Sequence, residues 1–366
     1  MARTLDVAAE IVSLPAMKRG LLGKLGTLLA LALAASACST SRTSLGSPGT
    51  MRVEGRHLHT AAGERVVLRG VNEMFSVSKD PTGSWVMAEI AKTGANTVRI
   101  FTLTDFPASD LDKAISNAIA NGMIPIPECH NATGKWERLP DCVAYWTRPE
   151  IARVLKRHRR WVLLNIANEA GAEVSREAFV QGYRSAISQI RAAGIDVPLV
   201  IDGAGWGQEY RILLDSWDEL NAQDPQKKVI VSAHSYWIGT EAERKQHYNY
   251  IIDKVTRANI PFILGEGPTP SGYDCTASPY EWALTELARA EIGWLAWSWG
   301  LVPNGDCREA NRYDMTNGGI FGRWKTQAGE RIAVGHPMSI SKTSRRPCSI
   351  PNAGARCVRP SARRRS

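Results

Sequence analysis

Eight short apolar segments, separated by amphipathic stretches, constrain the fold of this chain more than any other feature. The segments are rich in β-branched residues, which is typical of strands buried in a parallel sheet. They cover residues 66–72, 97–101, 123–130, 161–169, 198–202, 229–236, 261–266 and 293–299. Eight strand–helix units predict a closed (β/α)8 TIM barrel, because an open doubly wound sheet usually has fewer strands.

Helical periodicity predicts helices between these strands. They span residues 84–92, 111–121, 150–158, 177–193, 241–258 and 279–290. Gly94, Asn121 and Gly194 follow or end three of them, as expected where helices stop. No G-x-G-x-x-G motif follows the first strand, so we expect no dinucleotide site. Residues 51–67 alternate around Gly55, which predicts a β-hairpin suited to plug the barrel floor.

The first 50 residues predict export. A basic start at Met17, an apolar run over 28–34 and the small residues 35–37 are the three parts of a bacterial signal peptide, with Met17 as the true start. Two outcomes stay open, which are cleavage after the small residues or lipidation of Cys38. We therefore divide the chain into a signal peptide over 1–37, a flexible tether over 38–50, a catalytic domain over 51–340 and a basic, flexible tail over 341–366.

The basic residues are concentrated at the chain ends. The net charge is +9, of which residues 342–366 carry +8 and residues 1–37 carry +2, which leaves about −1 for the body. A body without basic excess argues against a nucleic-acid partner. Nucleic-acid binding through the tail is a poor alternative, and it predicts that truncation at Pro347 abolishes binding.

Six cysteines remain when Cys38 is set aside. An even number in an exported chain predicts disulfides, and the chain has no Cys-x-x-Cys pair of the kind that zinc sites use. We expect no metal and no cofactor. Spacing does not fix the connectivity, and the pairing that we expect is Cys129–Cys142, Cys275–Cys307 and Cys348–Cys357.

Polar residues close five of the predicted strands, where the active site of a TIM barrel forms. They are Arg99, His130, Asn168–Glu169, His234 with Tyr236, and Glu266. Each alone could be a solvated strand end or a structural ion pair, but their convergence on one barrel face favours a site. Glu169 and Glu266 would face each other across the mouth. Glycoside hydrolysis with retention needs two carboxyls about 5 to 5.5 Å apart, one as acid and one as nucleophile.

Six motifs in this order resemble glycoside hydrolase family 5 from about residue 53 to 324. They are Leu68-Arg69-Gly70-Val71-Asn72, Asn96-Thr97-Val98-Arg99-Ile100-Phe101, Asn168-Glu169, His234-Ser235-Tyr236, Gly265-Glu266 and Trp294-Leu295-Ala296-Trp297-Ser298-Trp299. Segments 130–134, 202–208 and 293–299 resemble the bacterial β-mannanase branch. Ala170-Gly171 and Gly267-Pro268 depart from that pattern beside the substrate, so a β-1,4-glucan remains an alternative to mannan.

The resemblance implies a role for each strand-end residue. Glu169 is the expected general acid/base and Glu266 the expected nucleophile. Asn168 would hydrogen-bond the sugar 2-hydroxyl, a contact that can strengthen in the transition state. Arg99 and Tyr236 would keep Glu266 ionised and oriented, since a nearby opposite charge favours the carboxylate.

The remaining candidates are two histidines and two tryptophans. His130 and His234 would donate to sugar hydroxyls or to the carboxylates, with a structural role as the alternative. We expect Trp297 to stack under the reacting sugar, because Trp299 alternates to the other side of the strand, and Trp206 is a second platform candidate.

The resulting prediction is an exported, monomeric mannan endo-1,4-β-mannosidase that works by double displacement without a cofactor on a β-1,4-linked polysaccharide. The alternatives are a β-1,4-glucanase with the same mechanism and a catalytically silent carbohydrate-binding barrel. Retention of both Glu169 and Glu266 argues against the silent barrel.

Overall fold

The computed structural model describes residues 49–305, 307 and 313–360. The predicted signal peptide, Cys38 and nearly all of the tether lie outside the described residues. Within the described part of the chain, no helix is both long and apolar enough to cross a membrane.

A small antiparallel sheet precedes the barrel. It consists of β1 (Arg52–Glu54), β2 (His57–His59) and β3 (Arg65–Val66), with β2 in the middle. Met51, Leu58 and Val66 are buried in an apolar cluster that includes Ile263 and Leu295 of the barrel strands. Packing of this sheet against the barrel strands removes apolar surface from water, which stabilises the sheet at the barrel floor. The predicted hairpin and its position are confirmed.

Eight parallel strands close into a barrel, in which each strand pairs with its neighbours in sequence and the last pairs with the first. They are β4 (Arg69–Glu73), β5 (Thr97–Thr102), β6 (Ile124–Cys129), β7 (Leu164–Asn165), β8 (Leu199–Asp202), β9 (Val229–His234), β10 (Phe262–Glu266) and β11 (Gly293–Ala296). The predicted (β/α)8 TIM barrel is confirmed.

Strand β7 is much shorter than the predicted segment 161–169. Its neighbour β6 contains Pro125 and Pro127, which have no N–H to donate to a ladder, and β6 and β7 share one register pair, Glu128 with Asn165. Backbone bonds outside the strand still hold this stretch, since the N–H of Asn168 donates to the Cys129 carbonyl at 2.9 Å. On the other side, the N–H of Ile166 donates to the Val200 carbonyl of β8 at 3.0 Å, so neighbouring strands hold the connection that carries Glu169.

Eight helices of at least six residues surround the strands in the described part. They are α1 (Val86–Ala91), α2 (Ala108–Ala120), α3 (Leu139–Thr147), α4 (Pro149–Arg157), α5 (Arg176–Ala192), α6 (Tyr210–Gln223), α7 (Glu241–Arg257) and α8 (Tyr280–Arg289), followed by the single turns α9 (Gln327–Glu330) and α10 (Ile340–Thr343).

Helices α3 and α6 were not predicted from the sequence. Helix α3 ends at Thr147, and Arg148, which follows it with a non-helical ψ of 135°, precedes Pro149, so α3 and α4 are distinct. Helix α6 begins at Tyr210 and is capped by Glu209, whose carboxylate accepts from the backbone N–H groups of Arg211 and Ile212.

All three expected disulfides are present. Cys129–Cys142 joins the end of β6 to α3, and Cys275–Cys307 joins the loops that follow β10 and β11. Cys348–Cys357 closes a loop near the C-terminus.

Residues 341–360 are packed against the barrel, in contrast to the flexible tail expected from their composition. Arg346 donates to the carbonyls of Ala91 and Ala95, each at 3.0 Å. Ile350 is buried in the floor cluster, and the Ser349 N–H donates to Glu64 at 2.8 Å. The barrel domain therefore extends beyond residue 340, because the loop closed by Cys348–Cys357 covers part of its floor.

Candidate active site

A cleft of about 380 Å³ opens at the C-terminal ends of the barrel strands. Six of the nine predicted site residues line it, and Arg99, Asn168 and His234 are buried against them. The cleft is lined by His130, Thr133, Glu169, Trp206, Gln208, Tyr236, Glu266, Tyr273, Trp297 and Tyr313.

The two glutamates meet in this cleft from opposite parts of the barrel. Glu266 is the last residue of β10, and Glu169 follows β7 with a left-handed φ of 46°. One carboxylate oxygen of Glu169, one of Glu266 and one ring nitrogen of His234 all lie within 4.8 Å of one another. This closeness suits covalent catalysis, since inverting enzymes keep their carboxyls about 6.5 to 9.5 Å apart.

Arg99 is the cationic centre beneath the cleft. One of its terminal nitrogens lies 2.8 Å from Glu266 Oε1, and the other lies 3.0 Å from Asp202 Oδ2 and 2.6 Å from Asn168 Oδ1. Asn72 and Asn165 accept its remaining bonds. A guanidinium held by five acceptors has one orientation, so it fixes the Glu266 carboxylate in place.

Glu266 and Glu169 have unlike environments. Burial raises the pKa of Glu266 above its usual value, but Arg99 opposes this and the Tyr236 hydroxyl donates to Glu266 Oε2 at 2.7 Å. Burial raises the pKa of Glu169 to about 8, with the Asp202 charge adding to the rise. The ion pair with Arg99 and the Tyr236 bond favour the ionised form of Glu266, whereas Glu169 holds its proton near neutral pH, which is the division that nucleophile and acid need.

His234 orients the acid. Its Nδ1 lies 2.6 Å from Glu169 Oε1, and its Nε2 lies 3.6 Å from Asp202 Oδ2. Burial lowers the pKa of His234, so the ring is neutral near pH 7 and its Nδ1 accepts a hydrogen bond from the protonated Glu169 carboxyl. Because His234 is fully buried, it contacts the carboxylate and is not exposed to the cleft.

His130 forms part of the cleft wall. Its Nδ1 lies 3.0 Å from Glu128 Oε1, and although burial acts to lower the pKa of His130, this carboxylate raises it overall. The ring stacks near Trp297 with 6.2 Å between centroids. A cationic imidazole beside an indole face could donate to a sugar hydroxyl.

Trp297 and Trp299 both follow the last residue of β11 and point to different surroundings. The alternation expected from the sequence was wrong, because residues two apart on a strand share a face, and the rings separate because they lie beyond the strand. Trp297 lines the cleft and donates from Nε1 to Asn304 Oδ1 at 2.9 Å, whereas Trp299 is fully buried and donates to the Gly319 carbonyl. The hydrogen bond fixes the plane of the Trp297 ring. Such a fixed apolar face suits a sugar ring.

Trp206 is the second indole of the cleft and is 50% exposed. Its ring lies on Gly134, where a Cβ would come within 2.4 Å of the indole. The glycine therefore makes room for the ring.

Asn168 is buried with its amide in use. Its oxygen accepts from Arg99, and its nitrogen donates to Thr133 Oγ1 at 2.8 Å. The amide nitrogen carries two N–H groups and Thr133 accepts from one, so the expected contact with a sugar 2-hydroxyl would use the other.

Sequence reasoning missed two buried acids of the site, Glu128 and Asp202. Each lies at or near the end of a strand, β6 and β8, and each faces Arg99, at 3.9 and 3.0 Å. The strand-end rule that selected Arg99 applies to both acids and could have found them. Tyr273 and Tyr313 lie in loops, where no pattern points to the cleft.

Glu169, His234 and Glu266 could also offer three ligands to a metal ion. The Arg99 guanidinium already neutralises Glu266 and would repel a second cation at that distance. Since the other Glu266 oxygen accepts from Tyr236, the donor set fits an acid and nucleophile pair better than a metal centre.

A paired acid and carboxylate in a cleft with indole walls, at the C-terminal mouth of a (β/α)8 barrel, defines a glycoside hydrolase that acts on O-glycosyl bonds. The family model Cellulase (glycosyl hydrolase family 5) matches residues 59–301, and the chain belongs to this family. The resemblance found in the sequence is thereby confirmed.

Similarity to known proteins extends over most of the chain. A mannan endo-1,4-beta-mannosidase of Salipaludibacillus agaradhaerens is 32% identical over 77% of this chain and 90% of its own length. One from Cellvibrio japonicus is 28% identical over 83% of this chain and 70% of its own length. The solved mannohexaose complex of the Thermomonospora fusca β-mannanase is 28% identical, with a TM-score of 0.71 over 81% of this chain and 98% of that chain.

Proposed function

We propose that this protein is an exported, retaining endo-β-1,4-mannanase. The observation that carries the proposal is the pair of glutamates, which have carboxylate oxygens within 4.8 Å of each other. Burial raises the pKa of Glu169 to about 8, and Glu266 forms an ion pair with Arg99. This pair supplies an acid and a nucleophile to opposite sides of one glycosidic bond.

In the first step, a Glu266 oxygen attacks the anomeric carbon while the bond to the leaving oxygen breaks. Glu169 gives its proton to that oxygen, and a covalent glycosyl–enzyme ester forms. In the second step, Glu169 takes a proton from water, whose oxygen displaces Glu266 from the anomeric carbon. Both glutamates return to their starting states, and the configuration is retained.

Mannan is the favoured substrate because the relatives that match most of this chain in sequence are named as mannan endo-1,4-beta-mannosidases. A β-1,4-glucan is the alternative, since a shorter match is to a protein named beta-mannanase/endoglucanase A. We expect faster release of reducing sugar from mannan than from carboxymethyl cellulose. Equal or faster release from the cellulose derivative would overturn the mannan assignment while keeping the mechanism.

Export rests on the sequence of residues 1–38, with lipidation of Cys38 as one of two outcomes. The three disulfides of the body agree with an oxidising compartment. We expect the protein to act as a monomer. Cell fractionation of the native chain and of Cys38→Ala tests the anchor: a lipoprotein leaves the membrane fraction in the variant, whereas a cleaved secreted enzyme is unchanged.

A further inference from the structure

Tyr273 is an exposed aromatic side chain at the rim of the cleft. Its side chain lines the cleft, yet the residue is 70% exposed. Its backbone N–H donates to the carbonyl of Tyr236 at 3.0 Å, and the Tyr236 hydroxyl in turn reaches Glu266. Tyr273 therefore lies at the rim, outside the groups that contact the nucleophile, on the side from which a distal sugar unit of a bound chain can be reached.

The loop that carries Tyr273 is held by a buried cation. Arg244 of α7 is 2% exposed and donates to the carbonyls of Trp237 and Thr276 and to the carboxylate of Asp274. Within the loop, the Gly272 N–H donates to the Thr276 carbonyl at 3.0 Å. These bonds remove most of the freedom that an exposed loop would have.

A second set of contacts joins this loop to the one after β11. The Cys275–Cys307 disulfide links the two loops, and the Tyr313 hydroxyl donates to the Gly272 carbonyl at 2.9 Å. The Tyr313 ring also packs edge-on against Tyr236 with 5.5 Å between centroids. Tyr273 is thus presented from a braced loop, although its own side chain is left in solvent.

We propose that Tyr273 forms a saccharide-binding position outside the catalytic subsite, which stacks on a distal unit of a β-1,4-linked chain. An aromatic face with its hydroxyl in water suits a pyranose, which has an apolar face of C–H groups and a polar edge. Because the loop is already ordered, little conformational entropy is lost when the sugar binds. The proposal rests on the proposed function and adds a determinant of chain-length preference to it.

The test compares kcat/KM for a short and a long substrate in Tyr273→Ala, Tyr273→Phe and the native chain. The short substrate is an aryl mannobioside, and the long one is mannohexaose. We expect Tyr273→Ala to lose about tenfold on the hexamer and almost nothing on the short glycoside. Tyr273→Phe keeps the ring and should retain hexamer activity.

Ile238→Ala is the matched control, because Ile238 is 62% exposed but does not line the cleft. This variant should leave kcat/KM unchanged on both substrates. Cys275→Ser with Cys307→Ser frees the loop and should also lower hexamer activity selectively. If Tyr273→Ala loses equally on both substrates, or loses nothing on the hexamer, the proposal is overturned. If the native chain cleaves cello-oligosaccharides instead, the mannan assignment fails, and the same comparison runs on cellohexaose against an aryl cellobioside.

Discussion

Removal of one hydroxyl, by Tyr236→Phe, tests how the nucleophile is kept ionised. The phenol donates to Glu266 Oε2 at 2.7 Å in a buried setting, and burial keeps the pKa of Tyr236 well above its usual value, so it stays a donor. A hydrogen bond to a charged group contributes about 1.5 to 3 kcal/mol. Its loss raises the pKa of Glu266 by about one to two units, since each unit corresponds to about 1.4 kcal/mol.

The assay is the pH dependence of kcat/KM on a soluble mannan. The acidic limb, which reports deprotonation of Glu266, should move to higher pH by the same amount as that pKa. Tyr145→Phe is the control, since its buried hydroxyl donates to the Phe106 carbonyl at 2.9 Å and should leave the profile unchanged. A lower plateau with an unmoved acidic limb would refute the reasoning.

Three further predictions follow from the site and the floor. Activity should fall above pH about 8 as Glu169 loses its proton, and a profile still rising at pH 9 would contradict that assignment. With an aryl glycoside, azide should rescue Glu169→Ala and give the β-glycosyl azide. Glu266→Ala should be inactive, and rescue of that variant to the α-azide would reverse the roles. Replacement of Cys348 and Cys357 by serine should lower the free energy of unfolding by about 2 to 3 kcal/mol with kcat unchanged, as denaturant titration can measure.

The barrel and the catalytic pair could be predicted because both depend on local patterns. Strand-end position alone selected Arg99, Glu169 and Glu266, and the barrel brings the ends of all strands to one face. Asp202 satisfies the same rule, but its role depends on Arg99 from a strand three places away, which one sequence does not reveal. The strand pattern of one sequence therefore does not predict contacts between side chains of distant strands.

The C-terminal segment shows a different limit. Its arginines and its Ser, Pro and Gly content are typical of flexible chain, yet Arg346 reaches two backbone carbonyls and Ile350 fills part of the floor. The cysteine pair was the signal that this segment is ordered. Tyr273 could not be predicted, because its orientation comes from Arg244 and a disulfide rather than from any period in its loop.

The anomeric configuration of the first-formed product tests the central claim most directly, because double displacement at Glu266 requires retention. Proton NMR of a mannan or manno-oligosaccharide digest, recorded before mutarotation, measures it. The account predicts that the β-anomer appears first and the α-anomer grows in later. An initial α-anomer would show single displacement and would contradict the assignment of Glu266 as nucleophile.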